Sequence, residues 1–532
     1  MSVLVLSTQG STPDTALAVE VGTGPLAPEA VLAVARSGAK VALTAESVSA
    51  MQASRVVIES LAADSKPHYG VSTGFGALAT KQIPPSQRTV LQRSLVRSHA
   101  ASSGREVDRE VVRALMLNRL STLATGRTGV RPEVAQAYAA LLNAGITPVV
   151  GEYGSLGCSG DLAPLSHCAL ALIGEGQVRD AAGRELDASA ALAAAGLTPL
   201  ELQEKEGLAL INGTDGMLGM LTLAIADLHR LLTTADIAAA MSVEGLLGTD
   251  AVFAADLQAL RPQPGQAESA ENIRTVLRGS VLVEEQKTGE FTRVQDAYSL
   301  RCAPQVHGAA RSTLAHAEHV AACEQASAVD NPVVTPDGRV ESNGNFHGAP
   351  VGYVLDFLAI AVADVASMSE RRTDRFLDRN RSHGLNAFLA DDPGLDSGHM
   401  IAQYTQAGIV SELKRLAVPA SVDSIPSSAM QEDHVSMGWA AGLKLRRALD
   451  GLARVLAVEV LTSARALDMR DGGLATARSA PVSTAVRTAV RSVVQGPGPD
   501  RYLAPEIEAV YQLVSGEGLI TAANSVLDKP LH

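Results

Sequence analysis

The chain has 532 residues and a formal net charge of −13; 46% of the residues are hydrophobic, 19% are charged and 3% are aromatic. This composition excludes a disordered chain, which combines low hydrophobicity with high net charge. It argues against an all-β protein, because strands favour aromatic and β-branched residues, whereas Ala and Leu favour helix. An acidic chain without a basic tract also suits neither nucleic acid nor an anionic membrane surface as a partner. We therefore expect a mainly α protein.

The N-terminal segment and the cysteines indicate a compartment. The segment MSVLVLS is apolar but short, and the first basic residue is Arg36, so the positively charged region of a secretory signal is missing. The cysteines form no C-x-x-C pair and stand at Cys158, Cys168, Cys302 and Cys323. Widely spaced cysteines of this kind fit a reducing compartment better than a disulfide framework. The sequence predicts a cytoplasmic protein.

Long helical patterns follow an N-terminal region that Gly and Pro interrupt up to about residue 105. The hydrophobic spacing predicts helices over residues 106–124, 132–143, 348–379 and 434–470. Helices of this length need partners along their whole extent, which predicts a bundle completed by other subunits. From Ser479 onward the pattern is typical of a looser helical cap at the C-terminus.

Common ligand-binding motifs are missing from the sequence. It contains no GxxxxGK[ST] phosphate loop and no HExxH zinc motif. His316 and His319 share a helical pattern, but no Cys or carboxylate cluster accompanies them at ligand spacing. Surface histidines are therefore the favoured interpretation, and the sequence predicts no metal site.

The segment GEYGSLGCSGDLAPLSH at 151–167 is unusual because three glycines surround Ser159. One interpretation is a capping loop in which Asp161 is the N-cap of the next helix. A nucleophile elbow is excluded, since the triplet around Ser159 is Cys-Ser-Gly and not the G-x-S-x-G motif. A third interpretation is backbone cyclisation, in which the amide nitrogen of Gly160, which no side chain hinders, attacks the carbonyl of Cys158. Loss of two waters then leaves a five-membered ring and turns Ser159 into an electrophilic methylidene.

A series of motifs over about residues 20 to 515 resembles the histidine ammonia-lyases of the aromatic amino acid lyase family, of the actinobacterial type. The motifs are YGVSTGFGALA at 69–79, LVRSHAA at 95–101, GSLGCSGDLAPLSH at 154–167, KEGLALINGTDG at 205–216, VQDAYSLRCAPQV at 294–306, DNPVV at 330–334, NGNFHG at 343–348 and ASVDSIPSSAMQEDHVSMG at 420–438. The resemblance implies a fumarase/aspartase-like architecture, in which a long central helical bundle joins a smaller N-terminal mixed region. The implied regions are 1–205, which bears the electrophile, 206–478, the long-helix bundle, and 479–532, the helical cap.

The resemblance also implies the reaction, which is the first step of histidine degradation. L-Histidine is converted to trans-urocanate and ammonia by a homotetramer with shared active sites. The electrophile is 4-methylidene-imidazol-5-one (MIO), formed from Cys158, Ser159 and Gly160 with no external cofactor; the family usually has Ala where this chain has Cys158. The alternatives are an MIO-dependent aminomutase, a lyase for another aromatic amino acid, and a non-catalytic helical scaffold.

Matching positions imply roles in the chemistry. Tyr69 is a candidate base, which requires that the pKa of its phenol be lowered from about 10. Tyr298 assists proton transfer, and Arg301 clamps the substrate carboxylate with its planar guanidinium. Three further positions complete this set: Asn212 and Gln295 hydrogen-bond the electrophile or the carboxylate, and Phe346 packs near the ring.

Other positions concern the substrate side chain. His99 and Glu432 match positions that surround the imidazole in histidine lyases, and Met400 lines the same pocket. Imidazole presents a donor and an acceptor, and leaving either buried and unpaired costs about 1–3 kcal/mol. The chain departs from the expected pattern at His307, His399 and Met430. The first two are expected to add titratable groups near the site.

Overall fold

The computed structural model describes residues 18–288 and 294–532, apart from the side chain of residue 288. The chain forms two compact units. Unit 1 consists of Met1–Thr222, described from residue 18 onward, Ala322–Ala349 and Ser424–Trp439; unit 2 consists of Leu223–Ala321, Pro350–Asp423 and Ala440–His532. Each unit combines separated segments of the sequence. The units do not coincide with the boundaries at 205 and 478, which stay predictions.

The mainly α prediction is confirmed, since helices account for most of the described chain. The α-helices are α1 Pro28–Ser37, α2 Ala45–Ala63, α3 Arg88–His99, α4 Arg109–Ala124, α5 Pro132–Ala144, α6 Leu162–Leu172, α7 Ala188–Ala194, α8 Glu206–Ile211, α9 Asp215–Gly245, α10 Ala255–Ala259, α11 Pro264–Leu277, α12 Val281–Thr288, α13 Tyr298–Arg301, α14 Ala303–Gln325, α15 Ala349–Leu377, α16 Met400–Leu416, α17 Gly438–Asp471, α18 Pro481–Val493, α19 Ala504–Ser515 and α20 Gly518–Asn524. Short 3₁₀ helices cover Gly76–Leu78, Pro85–Gln87, Ala251–Phe253, Ala387–Leu389, Ser428–Met430 and Leu474–Thr476.

The strands of the described chain are short, and all belong to unit 1. They are β1 Val19–Val21, β2 Val41–Leu43, β3 Ser103–Glu106, β4 Thr147–Pro148, β5 Gly151–Tyr153, β6 Gln177–Arg179, β7 Glu185–Asp187, β8 Val333–Val334 and β9 Val340–Glu341. Strands β1 and β2 pair in parallel, whereas β3–β5, β4–β6–β7 and β8–β9 pair antiparallel. Most of them lie before residue 205, so the N-terminal region is mixed, as predicted.

The predicted long helices exist, with shifted ends. Helix α4 begins three residues later than predicted, because Glu106 is the last residue of β3 and pairs with Gly151. Helix α17 begins at Gly438 instead of residue 434, because the preceding residues are held in another conformation. The Met437 amide donates to the Leu156 carbonyl at 2.9 Å, and Met437 has a φ of +52°.

Helix α4 forms the centre of unit 1. Every residue from Val111 to Ala124 is buried, including two arginines. Arg113 donates to the Val34 carbonyl at 2.9 Å, and Arg119 donates to the Asn212 carbonyl at 2.6 Å. Because a buried guanidinium must find acceptors for its protons, these two side chains fix the segments around α4.

In unit 2 a buried carboxylate connects three long helices. Glu459 on α17 accepts from Arg372 on α15 through both oxygens, at 2.5 and 2.9 Å, and from the Ser242 hydroxyl on α9 at 2.7 Å. The side chains of Arg372 and Glu459 are both fully buried. Removing either Arg372 or Glu459 would leave the other charge buried without a partner, which strongly destabilises a protein.

A second carboxylate hub in unit 2 lies on α9. Asp236 is fully buried and accepts from the Ser269 hydroxyl at 2.5 Å, from Asn272 at 2.9 Å and from Arg311 at 2.8 Å. His307 Nδ1 lies 2.8 Å from Asp236 Oδ1. Neighbouring positive charge and donors hold the pKa of Asp236 below its usual value, although burial opposes this. The hub ties α9 to α11 and α14.

Helix α15 is long and apolar enough to cross a membrane by length and composition, and 61% of its most apolar stretch is buried inside the protein. A helix that is hydrophobic and packed on most of its surface is typical of a protein core. Burial therefore accounts for its composition.

We expect Arg372→Met to lower the free energy of unfolding by about 3–5 kcal/mol, because it leaves the buried Glu459 carboxylate without its cation. The measurement is the thermal midpoint by circular dichroism. The double variant Arg372→Met/Glu459→Leu should regain part of the loss, since it removes both charges. Arg339→Met, at a side chain that is 61% exposed, is the surface control. If Arg372→Met had the same thermal midpoint as Arg339→Met, the buried ion pair would not have this stabilising role.

Candidate active site

The glycine-rich loop before α6 is anchored at Gly157. The Gly157 carbonyl accepts from the Ser436 hydroxyl at 2.7 Å and from the Gly348 amide at 3.0 Å. Gly157 has a φ of +68°, and a Cβ there would lie 2.3 Å from Ser436 Oγ. The loop, the segment before α15 and the segment before α17 are thus held together by one carbonyl that only glycine can place.

Gly160 is pressed against the backbone that follows α8. A Cβ at Gly160 would lie 1.9 Å from the Gly213 carbonyl oxygen, and φ at Gly160 is +72°. The next amide, that of Asp161, donates to the same Gly213 oxygen at 2.7 Å. No L side chain fits this position, so the fold requires glycine at the residue whose amide nitrogen takes part in the hypothetical cyclisation.

Asp161 stands at the N-cap position of α6, but its side chain makes no capping hydrogen bond to that helix. The carboxylate instead accepts from the amides of Gly216 and Met217 in the first turn of α9, each at 2.9 Å, and from the Ser155 hydroxyl at 2.9 Å. The capping interpretation was therefore wrong about the helix. Asp161 caps α9, because tertiary packing brings that N-terminus closer to the carboxylate.

A cavity of about 540 Å³ opens beside the loop, entirely within unit 1. Five residues predicted for the site take part in its wall: Tyr69, Cys158, Ser159, Phe346 and Glu432. They come from four separate stretches of sequence, so the fold brings them together. The volume suits a ligand of the size of an amino acid.

Glu432 contacts both ring-forming side chains. Its Oε1 accepts from Ser159 Oγ at 3.4 Å, and its Oε2 lies 3.6 Å from Cys158 Sγ. Two further hydroxyls, those of Ser427 and Ser428, donate to Oε2 at 3.0 Å each. The carboxylate is thus fixed at the cavity wall next to the reactive triplet.

His99 ends α3, and the charge of Glu432 acts on it. Burial lowers the pKa of His99, while the Leu95 carbonyl and Glu432 oppose this shift. Nδ1 lies 3.0 Å from the Leu95 carbonyl oxygen, which can only accept. The Ser98 hydroxyl oxygen lies at the same distance from Nδ1.

Tyr69 lines the cavity with its phenol half-buried. Burial raises the pKa of Tyr69, and the charges of Glu432 and Asp330 act in the same direction. The Gly76 amide donates to the phenol oxygen at 3.3 Å and opposes the rise. This direction is the reverse of what a base acting near neutral pH needs. If Tyr69 is to act as a base, a positive charge must therefore lie near its phenol. That charge must come from outside the described residues of unit 1 that surround the phenol.

Asn212 follows α8 and is buried beside the loop. Its backbone carbonyl accepts from Arg119, whereas its side-chain Oδ1 has no hydrogen-bond partner among the described residues. A buried amide oxygen without a partner is costly. The next residue, Gly213, contacts Gly160. Asn212 therefore lies beside the loop, where its Oδ1 can accept a hydrogen bond from a group that the loop forms.

The other predicted residues belong to unit 2. Gln295 is exposed, and Tyr298 is 70% exposed. The Arg301 guanidinium lies over the Tyr298 ring at 4.6 Å, and Arg301 Nε has no hydrogen-bond partner among the described residues. Met400 lines a different cavity of about 550 Å³ in unit 2, together with Phe388 and Tyr404.

Several residues of the cavity wall were not predicted from the sequence. They are Asn331, His347, Asp433 and His434. The rings of His347 and His434 stack with centroids 5.7 Å apart and planes 3° apart. All four belong to quoted motifs, so the signal was present. Their neighbours Phe346 and Glu432 were selected because the resemblance assigned them roles.

His307 and His399, which were expected to add titratable groups near the site, do not line this cavity. Both are buried in unit 2, where His307 bonds Asp236 and His399 Nδ1 lies 3.2 Å from Thr462 Oγ1. Burial, with nearby arginines, lowers the pKa of His399 to about 3, so it stays neutral. Met430 is 68% exposed and has a φ of +70°.

Within residues 18–288 and 294–532, no group of three or more His, Cys, Asp or Glu side chains is placed to hold a metal ion. His316 and His319 are both exposed on α14.

Comparison with known proteins gives consistent results. The family model for aromatic amino acid lyases matches residues 26–492. Histidine ammonia-lyase of Streptomyces coelicolor is 64% identical over 96% of this chain and 98% of its own length. Tyrosine aminomutase from Streptomyces globisporus superposes with a TM-score of 0.91 at 40% identity, covering 97% of this chain and all of that one. Histidine ammonia-lyase from Trypanosoma cruzi gives a TM-score of 0.88 at 35% identity, covering 96% of each chain. These likenesses confirm the predicted architecture.

Replacing Asp161 by Asn should remove a pH-dependent loss of stability. Burial raises the pKa of Asp161 from 3.8 to about 7. Between these values the unfolded chain releases the proton while the folded chain keeps it, so the folded state becomes less stable as pH rises and the loss levels off above about pH 7. We expect the thermal midpoint of the wild type to fall relative to that of Asp161→Asn between pH 5 and pH 8. A difference in thermal midpoint between the two proteins that stays constant from pH 5 to pH 8 would contradict the raised pKa of Asp161.

Proposed function

The chain belongs to the aromatic amino acid lyase family, and we propose that it is an ammonia-lyase that converts L-histidine to trans-urocanate and ammonia. The structural observation that carries the proposal is the contact between Glu432 and the Cys158–Ser159 pair on one cavity wall. Relatives that are 62–64% identical over nearly the full chain are named histidine ammonia-lyase, which supports the same substrate.

The proposed prosthetic group is MIO formed from Cys158, Ser159 and Gly160. The residues fit it, because Gly160 has no room for a side chain and Asn212 offers a buried oxygen without a partner. When formed, the group supplies an electrophile that none of the twenty side chains provides and that makes the substrate amine a better leaving group.

The imidazole of the substrate is proposed to bind between Glu432 and His99. A neutral imidazole has one N–H donor and one nitrogen acceptor, and the carboxylate of Glu432 accepts the N–H. His99 is the proposed partner of the other ring nitrogen. Phenylalanine has no such groups, so its ring would leave these polar atoms unpaired, which costs about 1–3 kcal/mol.

The remaining residues are proposed to orient the substrate and to move its protons. Arg301 binds the carboxylate with its guanidinium fork. Its positive charge also favours the phenolate of a nearby tyrosine, as Tyr69 requires in order to accept a proton from the β-carbon. Tyr298 assists proton transfer. The other members position the substrate: Asn212 and Gln295 by hydrogen bonds, and Phe346 and Met400 by packing.

The proposed assembly is a homotetramer with active sites shared between subunits. Exposed apolar side chains support it: Tyr353, Phe357 and Ile360 recur on one face of α15 and are 54%, 58% and 47% exposed. Ile401 and Tyr404 on α16 are 57% and 64% exposed. Apolar clusters of this kind mark surfaces that other molecules cover.

The cytoplasm is the proposed compartment. All four cysteines are free thiols, and two of them, Cys158 and Cys168, are buried. Thiols that remain reduced fit a reducing environment.

An aminomutase is the second candidate, because a tyrosine aminomutase superposes closely on the chain. An aminomutase returns ammonia to the β-carbon. Identity favours the lyase, since it is 64% to a named lyase and 40% to that aminomutase.

The decisive experiment incubates the purified protein with L-histidine, L-tyrosine and L-phenylalanine, and follows near-ultraviolet absorbance and amino acid products. We expect urocanate from L-histidine, with no β-amino acid. Ser159→Ala should abolish turnover and also the loss of two waters in the intact mass. A β-amino acid product would favour the aminomutase, and a wild-type protein with full mass and no activity would indicate a scaffold.

Shared active sites can be tested by mixing inactive subunits. Ser159→Ala and Arg301→Ala should each be inactive when produced alone. When the two variants are produced together, we expect about a quarter of the wild-type activity, because random assembly of shared sites restores some intact ones. Light scattering should give the mass of four chains. Activity no higher than that of the single variants would show that Ser159 and Arg301 of one chain serve the same site.

A further inference from the structure

The two oxygens of Glu432 have different surroundings. Oε2 accepts from the hydroxyls of Ser427 and Ser428 at 3.0 Å each and lies 3.6 Å from Cys158 Sγ. Oε1 has one such contact, from Ser159 Oγ at 3.4 Å. Three short side chains therefore surround one oxygen, and a single hydroxyl faces the other.

Ring formation removes the partner of Oε1. The second dehydration breaks the bond between Cβ and Oγ of Ser159, and the oxygen leaves as water. The donors around Oε2 belong to side chains that the reaction leaves intact. Only the backbone carbonyl of Cys158 enters the ring, so its thiol remains.

We propose that Cys158, Ser427 and Ser428 are positioning residues that hold Oε2 of Glu432, so that Oε1 is left to accept the ring N–H of the substrate. The inference rests on the proposed function for its substrate. It gives a role to the cysteine that stands where the family usually has alanine, which offers no donor.

The state of the thiol agrees with this role. Cys158 is 6% exposed, and burial, with the charge of Glu432, raises its pKa to about 11. At neutral pH the side chain is an S–H group, which donates to a carboxylate and does not repel it. Ser427 lies at the start of the turn that carries Glu432, where its amide also pairs with the Glu432 carbonyl at 2.9 Å. The donors are thus supplied by two separate segments.

Removing one donor should affect substrate binding more than turnover. We expect Cys158→Ala to raise the KM for L-histidine about 3- to 10-fold, the effect of one hydrogen bond to a charged acceptor, with a smaller change in kcat. Cys158→Ser should restore the KM, because a hydroxyl also donates. Cys323→Ala, at an exposed cysteine outside the cavity wall, is the matched control.

The serine donors provide a second, independent test. Ser427→Ala/Ser428→Ala removes the other two donors to Oε2 and should also raise the KM for L-histidine, with a smaller change in kcat. The intact mass should show the loss of two waters in every variant. If Cys158→Ala fails to cyclise, the positioning role is tested with Ser427→Ala/Ser428→Ala alone.

The contact can also be tested without substrate. Iodoacetamide labelling at pH 8, resolved by peptide mass spectrometry with Cys323 as the internal reference, should modify Cys158 several-fold faster in Glu432→Gln, since loss of the carboxylate makes the thiolate easier to form. A wild-type protein inactive on L-histidine would overturn the proposed function and leave this labelling result standing. An active wild type whose Cys158→Ala and double serine variants keep its KM would overturn the positioning role.

Discussion

The close approach of Gly160 to the Gly213 carbonyl is the contact on which the proposed site depends. It leaves no space for a Cβ, and the Asp161 amide reinforces it at 2.7 Å. The same approach sets Asn212 beside the loop and directs the Asp161 carboxylate to the first turn of α9. A loop held this tightly can keep a reactive triplet in one conformation, which a flexible surface loop cannot do.

The electrostatics of the cavity follow from that placement. Burial raises the pKa values of Tyr69 and Cys158 and lowers that of His99, so each of these groups tends towards its neutral form. Glu432 adds a negative charge that opposes the formation of phenolate and thiolate. A tyrosine base in this environment needs a cation, and the proposed sharing of Arg301 between subunits would provide one. The proposed assembly and the proposed chemistry are therefore linked.

Sequence patterns located the elements better than they located the contacts. The long helices were predicted because their apolar residues recur at helical spacing. The predicted start of α17 was four residues too early. The sequence pattern contains no information on the hydrogen bonds that Met437 and Ser436 donate to the carbonyls of Leu156 and Gly157. The capping interpretation considered only the helix that follows Asp161 for the same reason: the N-terminus of α9 is 54 residues away in the chain. His307 and His399 could not be placed at all, because burial in unit 2 depends on neighbours distant in sequence.

The sequence alone determined the helical class, the family motifs and the reactive triplet, since composition, spacing and contiguous residues carry that information. Tertiary structure decided which residues share the cavity, because Tyr69, Ser159, Phe346 and Glu432 meet only after segments far apart in the chain pack together. It also decided the protonation tendencies, which depend on burial and on neighbouring charge. The surroundings of the two Glu432 oxygens combine both kinds of information, because Ser427 and Ser428 are close to Glu432 in the sequence, whereas Cys158 and Ser159 lie more than 270 residues away.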